Sequence, residues 1–477
     1  MQFTSMAFLG FVLLAALLAQ PLRGAWRTGF LIALNIAFAA SFIASPLAAV
    51  PLLAFVLAGY AALVLVERRK AGHAVALSVL VLVAVFIWLK RYPFVAAVPE
   101  LPFPYALVGL SYILFRLLHL VLEVGDGALK RPSFPRYMAY LFFFPAFLSG
   151  PIHRYEPFDR DLDAPAGMDS NAAFATLLRF LVGFAKVAVV GECLLMVQEL
   201  FAGRLQGALD GGASFPMLAG LYAFGAGLYL LFLYANFSGY TDMAIAVGRL
   251  FGVVLPENFN RPFMATNFQD FWSRWHITLS EWFKIYFFNP LLKLLMGRFD
   301  SAAAVPYLGV FALFITFVVL GFWHGSSWEY LLTGALLGVG ISINKLYQVE
   351  LTKRMGKKPY QALTKRPAYI WASRGLTLAW VSLALTPFWI PVPGIGALLA
   401  HAGVGGFVLA LVLMSAAFAI PILIIVRSMR LAKLDQVSGG AIHGRGARIA
   451  ILAGLIVLLA FAVPLLNSSS DFVYQAF

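Results

Sequence analysis

Apolar residues run in long stretches along this chain, near 5–20, 29–44, 46–65, 74–89, 105–122, 137–150, 174–200, 214–235, 303–322, 328–344, 372–391, 403–426 and 449–466. An outer-membrane barrel would alternate in short strands instead. A straight membrane-crossing helix needs about 20 apolar residues, so the shorter stretches are expected to tilt, re-enter or lie buried in a bundle. The pattern predicts an all-α polytopic membrane protein with about 11 to 13 transmembrane and re-entrant helices. The first stretch has no basic leader, and Arg23 and Arg27 follow it. It is expected to be a retained helix, not a signal peptide.

One region breaks the apolar pattern. Residues 236–290 are rich in aromatic and polar side chains and hold Pro256, Asn258, Asn260 and Pro262. Within them, TNFQDFWSRWHITLSEWFKIYFFN (266–289) places Phe268, Phe271, Trp272, Trp275, Leu279, Trp282, Phe283 and Tyr286 at helical spacing. Asp270, Ser273, Arg274, Glu281 and Lys284 fall away from that face. This spacing predicts one amphipathic helix at an interface or against the bundle, with His276 at the edge of its apolar stripe.

Composition sharpens the class. Hydrophobic residues make up 62% of the 477 and charged residues 12%, with mean hydropathy +0.87. Soluble domains carry about 25% charge, so lipid has to meet the deficit. A disordered chain would lack this apolar mass. A nucleic-acid binder could share the net charge of +14 but not the long apolar runs, so no nucleic-acid partner is expected. The single cysteine, Cys193, excludes an intramolecular disulfide and is expected to be a buried helix residue.

Positive charge orients the chain. Arg23 and Arg27 place the first loop in the cytoplasm, and Glu67-Arg68-Arg69-Lys70 fits a second cytoplasmic loop. Segment 345–374 carries eight Lys and Arg residues against Glu350, and segment 427–448 carries five. Both are expected in the cytoplasm, which leaves the tail after 449–466 outside. Lys90 and Arg91 fall on the wrong side of a simple count and leave the early topology open.

Seven histidines are candidates for chemistry. His73 and His443 sit in basic loops and read as solvated. His119, His153 and His401 read as packing or turn residues. His324 differs, because Gly321 and Gly325 bracket it between two apolar helices and allow close approach of backbone or ligand. Ionisable groups in such a setting default to function. No HExxH or acidic set accompanies it, which argues against a metal site. A neutral buried imidazole suits general-base work on a hydroxyl. The tail Asp471 to Phe477 ends in aromatics, either as an interfacial anchor or as a docked segment presenting the Tyr474 hydroxyl.

The segments FFFPAFLSGPIHRY, NFSGYTDMAIAVGRLFGVVLPENFNRPF, NFQDFWSRWHITLSEWF and GFWHG agree in order and spacing across roughly 140 to 340 with the membrane-bound O-acyltransferase family. The resemblance is closest to the bacterial branch that holds the D-alanyl transfer proteins of teichoic acid modification and the alginate O-acetylation proteins. It implies a ring of membrane helices around a thinned centre with a tunnel. It implies that His324 is catalytic and that His276 lines the same tunnel. It also implies that a C-terminal FxYxxF motif, matched by Phe472, Tyr474 and Phe477, supplies a tyrosine that accepts the acyl group. Relatives often carry Asp where Asn236 stands, so Asn236 is assigned no catalytic role.

These readings divide the chain into N-terminal helices (1–135), a core with the motifs (136–345), C-terminal helices with basic loops (346–466) and an acyl-accepting tail (467–477). A thioester donor, on a phosphopantetheinyl carrier protein or as acyl-CoA, is expected from the cytoplasm, with no permanently bound cofactor. His324, His276 and Tyr474 are expected to carry the reaction. Trp323, Trp275, Asn258, Asn260, Phe472 and Phe477 are expected in the tunnel or at the docked tail. An extracytoplasmic acyltransferase would pass the group to an envelope polysaccharide, from a protein of the bacterial inner membrane. D-alanyl is favoured over acetyl by the SGPIHRY segment. The alternative is a secondary transporter, against which no internal repeat is visible.

Overall fold

A computed structural model describes residues 5–19, 21–69, 72–164, 167–299, 301, 303–431 and 445–465. The chain is all-α. Among the described residues the only extended pairing is an isolated bridge between Phe259 and Trp275. Among the described residues six helical segments are long and apolar enough to cross a bilayer: Pro46–Arg69, Gly72–Leu89, Ser170–Asp210, Phe215–Leu250, Val305–His324 and Val392–Ile424. Shorter apolar helices cover Ala7–Ala19, Gly24–Ala40 and Arg448–Val463. The protein is therefore a multi-pass membrane protein. Its long helices meet the spanning requirement outright, and the stretch 137–150 does not form a span.

Two compact units make up the chain. The first comprises the described parts of 1–188, 236–257 and 455–477, and the second comprises the described parts of 189–235 and 258–454.

At the centre of the first unit lies the helix Leu110–Gly125, buried from Leu110 through Val121. It packs on Pro46–Arg69 and Gly72–Leu89. The stretch 137–150 becomes a short helix, Phe134–Leu141, a 3-10 turn at Phe144–Ala146 and irregular chain, buried almost throughout. Proline at 145 and glycine at 150 stop it from continuing as a helix. Irregular backbone inside an apolar unit needs internal partners. Arg116, with no exposed surface, supplies them by donating to the carbonyls of Leu141 (2.6 Å), Tyr140 (3.4 Å) and Ala146. Asn35 donates to Ala139 O and accepts from Phe144 N (3.2 and 2.9 Å). The Tyr140 hydroxyl donates to His153 O (2.7 Å).

Arg27 acts in the same way. Although it stands as a loop charge in the sequence, it is 3% exposed and donates to the carbonyls of Leu162 (3.0 Å), Phe251 (2.7 Å) and Ala164. Arg23 remains exposed. Three charges on the spanning helices, Asp242, Arg179 and Lys186, pair with one another. Asp242 accepts from Arg179 (2.9 Å) and Lys186 (2.7 Å), and Arg179 also holds Glu257. That pairing sits beside a backbone crossing, where a Cβ on Gly183 would stand 2.6 Å from Gly239 O.

In the second unit, Val305–His324 and Trp328–Met355 form a helical hairpin, and Pro367–Ala384 packs on the helical segment Val392–Leu431, which is kinked at Gly403. Leu218, Tyr222, Ala226, Ala379, Leu383 and Met414 form its apolar core. Cys193 is exposed, against expectation. It lies on a helix apolar enough to span, where the outward face meets lipid, so exposure there carries little penalty.

Candidate functional site

The aromatic region does not fold as one amphipathic helix. Asn267 caps a short helix, Phe268–Trp272, by accepting from Asp270 N (3.0 Å). The chain then turns through residues 273–275, and a second helix, Ile277–Phe283, begins after His276. A π-helical turn, Lys284–Phe288, leads into Asn289–Arg298.

Residues upstream cause the break. Asn258 is fully buried, and its Oδ1 accepts from Thr278 N (3.2 Å) and Thr278 Oγ1 (2.6 Å). Its backbone carbonyl accepts from Ile277 N (3.0 Å), and Asn260 N donates to Arg274 O (2.9 Å). These bonds replace those a continuous helix would make at the same groups. They hold His276 at φ 45°, ψ 51°, in the left-handed region. That conformation costs a non-glycine residue roughly 1–2 kcal/mol, although His enters it more readily than most. Strain of this kind is held only where the surroundings over-determine it.

His276 is 2% exposed. Beside it, Trp275 is buried and stacks on Phe271 with centroids 5.5 Å apart, while Phe259 meets it edge-on at 5.1 Å. Asp270, expected on a solvated face, accepts from Arg274 Nε (2.6 Å) and Thr266 N (2.9 Å) and so stiffens the turn.

His324 is the last residue of Val305–His324 and is partly exposed, with buried Trp323 beside it. The bracketing glycines serve close backbone approach. A Cβ at Gly321 would stand 2.5 Å from Tyr330 O and 2.6 Å from the Gly334 Cα, and one at Gly325 would fall on the Tyr330 ring. The two motif histidines belong to the same unit and lie near enough for His324 to act on the charge of His276. Burial, and then this neighbour, hold the His276 imidazole well below its ordinary value, so it stands neutral.

A pH dependence follows. The unfolded chain takes up a proton at this position as pH falls through about 6.5, whereas the folded chain resists it. The stability from a neutral His276 is therefore complete above that pH and is lost on acidification. Thermal unfolding in detergent from pH 7.5 to 5 should show a smaller loss in His276→Gln than in the parent. Equal losses would assign the acid sensitivity to other groups.

A cavity of about 570 Å³ opens in the same unit. One wall is the helix Val305–His324, from Val305 and Pro306 to Leu320, a rise of roughly 22 Å. The opposite wall comes from Gln269, Trp272, Ser273, Ile277, Ser280, Glu281, Phe283 and Lys284. Lys345 and Ile341 of the return helix complete it. Three of the five residues expected to lie away from the apolar stripe, Ser273, Glu281 and Lys284, line this cavity, together with Trp272 and Phe283 of the stripe itself. Neither histidine lines it, nor do Trp275 and Trp323, but its inner end reaches Ile277, next to His276, and Leu320, one turn before His324.

The other candidates separate. The Asn258 Oδ1 is taken up by Thr278 while its buried Nδ2 has no hydrogen-bond partner among the described residues, and Asn260 is exposed. Phe472, Tyr474 and Phe477 lie outside the described residues, as does His443. His119 accepts from Tyr155 N (3.3 Å), and buried His153 lies 3.4 Å from Pro151 O, as packing residues would. His73 and His401 are exposed. Trp272, Lys284 and Lys345 escaped the sequence reading as site residues. Trp272 reads as one more member of the apolar stripe, and the lysines as surface charge.

The profile of the membrane-bound O-acyltransferase family matches residues 61–371. A teichoic acid D-alanyltransferase of Streptococcus thermophilus is 32% identical over 249 residues, 50% of this chain and 56% of that protein. A peptidoglycan O-acetyltransferase of Helicobacter pylori is 32% identical over 249 residues, 51% of this chain and 43% of that protein. A probable alginate O-acetylase of Pseudomonas putida is 30% identical over 242 residues, 50% of this chain and 45% of that protein. The chain spans about half the length of these relatives.

Proposed function

The chain belongs to the membrane-bound O-acyltransferase family, and from that premise we propose that it moves an acyl group from a cytoplasmic thioester to the outer face of the bacterial inner membrane, for O-acylation of an envelope polysaccharide. The observation that carries this reading is that two histidines lie near each other in one unit with a long cavity lined by their chain neighbours Ile277 and Leu320. Lys284 and Lys345 line the cavity too, and Lys345 opens the basic segment assigned to the cytoplasm. They suit the phosphate of a phosphopantetheine arm, on a carrier protein or in acyl-CoA.

In this reading His324 removes the proton of an attacking hydroxyl, that of Tyr474. The oxygen bonds to the acyl carbon, the carbon–sulfur bond breaks, and His324 returns the proton to the departing thiolate. Neutral His276 and the Trp323 indole are suited to orient the thioester and its oxyanion. An extracytoplasmic acyltransferase then passes the group from the acyl-tyrosine to a glycan hydroxyl. D-alanyl is favoured as the group by the SGPIHRY segment, since the D-alanyltransferase and the O-acetyltransferase share the same 32% identity with the chain.

Proteoliposomes holding the full chain, supplied with radiolabelled D-alanyl or acetyl thioester of a carrier protein or of CoA, test the proposal. Label should accumulate on the protein from one donor, and Tyr474→Phe should abolish that label while donor binding persists. Undiminished labelling of Tyr474→Phe would reduce the tail to an anchor. Solute transport without any labelling would make the protein a transporter.

A further inference from the structure

Three charged side chains line the cavity, Glu281, Lys284 and Lys345, and among the described residues of the lining Glu281 is the one carboxylate. None of the three forms an ion pair or a side-chain hydrogen bond with another described residue. Charge left unmatched beside a spanning helix is costly and points to function. The three are ordered along the cavity. Ile277, Ser280, Glu281 and Lys284 follow the i, i+3, i+4, i+7 spacing of one helix face, so the carboxylate stands between apolar Ile277 at the histidine end and the ammonium of Lys284. Ser280 Oγ is already engaged with Trp275 O (3.4 Å). Across the cavity, Ser342 Oγ donates to Val310 O (3.3 Å) and Gly334 meets Gly321, which sets the antiparallel register of the hairpin. That register puts Lys345 level with the start of Val305–His324, roughly 20 Å along the helix from Leu320.

A phosphopantetheine thioester carries its phosphate at one end of an uncharged arm, about as long as five extended residues, roughly 17 Å. Phosphate held at Lys345 therefore brings the thioester to the inner end, near Leu320 and Ile277. Side chains on a helix lean toward its N-terminus, so Glu281 leans over the preceding turn, toward Ile277 and His276. A carboxylate there meets whatever the acyl group carries on its α-carbon. An acetyl group carries only hydrogen, and once the donor has displaced water it would leave the carboxylate unmatched. An α-ammonium would pair with it through a charge-assisted hydrogen bond. We propose that Glu281 is a specificity-determining residue that binds the α-ammonium of an aminoacyl donor, D-alanyl among them, and disfavours acyl groups that lack one. This rests on the thioester reading above and names the class of acyl group it selects.

The test uses the full chain in proteoliposomes with D-alanyl, propionyl and acetyl thioesters, presented on CoA and on a phosphopantetheinyl carrier protein. Propionyl is D-alanyl with hydrogen in place of the ammonium. The parent should transfer D-alanyl with a higher kcat/KM than propionyl or acetyl. Glu281→Gln should cut that preference roughly 10- to 100-fold, the worth of one hydrogen bond to a charged group. Propionyl and acetyl transfer, binding of unacylated phosphopantetheine and the melting temperature should not fall, because Glu281 is exposed and holds no other described side chain. Lys345→Gln should instead weaken all three donors alike, which separates the phosphate from the acyl group. An equal D-alanyl to propionyl ratio in parent and Glu281→Gln, or a parent that prefers acetyl, would overturn the role of Glu281 and leave the donor reading standing. A parent that transfers from no thioester would remove the donor reading itself. Co-purifying phosphatidylethanolamine that the thioesters fail to displace would make Glu281 and Lys284 a lipid headgroup site and overturn the proposal.

Discussion

His324→Ala is expected to abolish acyl transfer while leaving normal amounts of protein in the membrane. Loss of a positioned general base typically removes 10²–10⁴ of rate, roughly 3–5 kcal/mol of barrier. Few other positions here should cost as much without unfolding the chain. The side chain is partly exposed and ends its helix, and alanine is the strongest helix former. Packing of the hairpin rests instead on the Gly321–Gly334 approach and on Trp323, neither of which the substitution touches. Vesicles carrying the variant should bind thioester as the parent does and fail to label. Normal acylation of the envelope glycan in cells that hold only this variant would remove His324 from the reaction.

The all-α class and the close approach at Gly321 and Gly325 were legible in the sequence, because each rests on local information. A run of apolar residues identifies a membrane helix from its own composition, and glycines around His324 announce close approach within five residues. What stayed hidden depends on partners distant in the chain. The stripe from Phe268 to Tyr286 has helical periodicity, yet the helix breaks at Ser273 to His276 because Asn258 and Asn260 compete for its hydrogen bonds. Helical spacing records which side chains are apolar and carries no sign of that competition. Arg27 illustrates the same limit. A charge at a helix start reads as a loop cation, and only the fold brings the carbonyls of Leu162 and Phe251 to it. The stretch 137–150 has the composition of a span but is held as irregular chain by Arg116 and Asn35, which lie outside it.

The break at His276 leads to the other large effect. Asn258→Ala should lower transfer about 100-fold, the scale seen when a reacting group shifts by about 1 Å. The substitution leaves Thr278 N and Thr278 Oγ1 without their acceptor inside a fully buried site, at a cost of about 1–3 kcal/mol. The chain can then regain helical bonds through Ser273 to Ile277, which would carry His276 out of its left-handed conformation and turn the imidazole away from His324. The loss should fall more on turnover than on donor affinity, because the wall from Val305 to Leu320 does not depend on Asn258 and only Ser273 and Ile277 of the opposite wall move with the turn. Thr278→Val separates geometry from stability, since it deletes the hydroxyl that Asn258 holds. If the pair acts as one unit, the double variant should melt no lower than Asn258→Ala alone, a coupling of about 0.5–3 kcal/mol. Asn258→Ala with parental turnover and parental melting would show that the left-handed histidine is held by its aromatic surroundings, and that the Asn258–Thr278 contact is incidental to the chemistry.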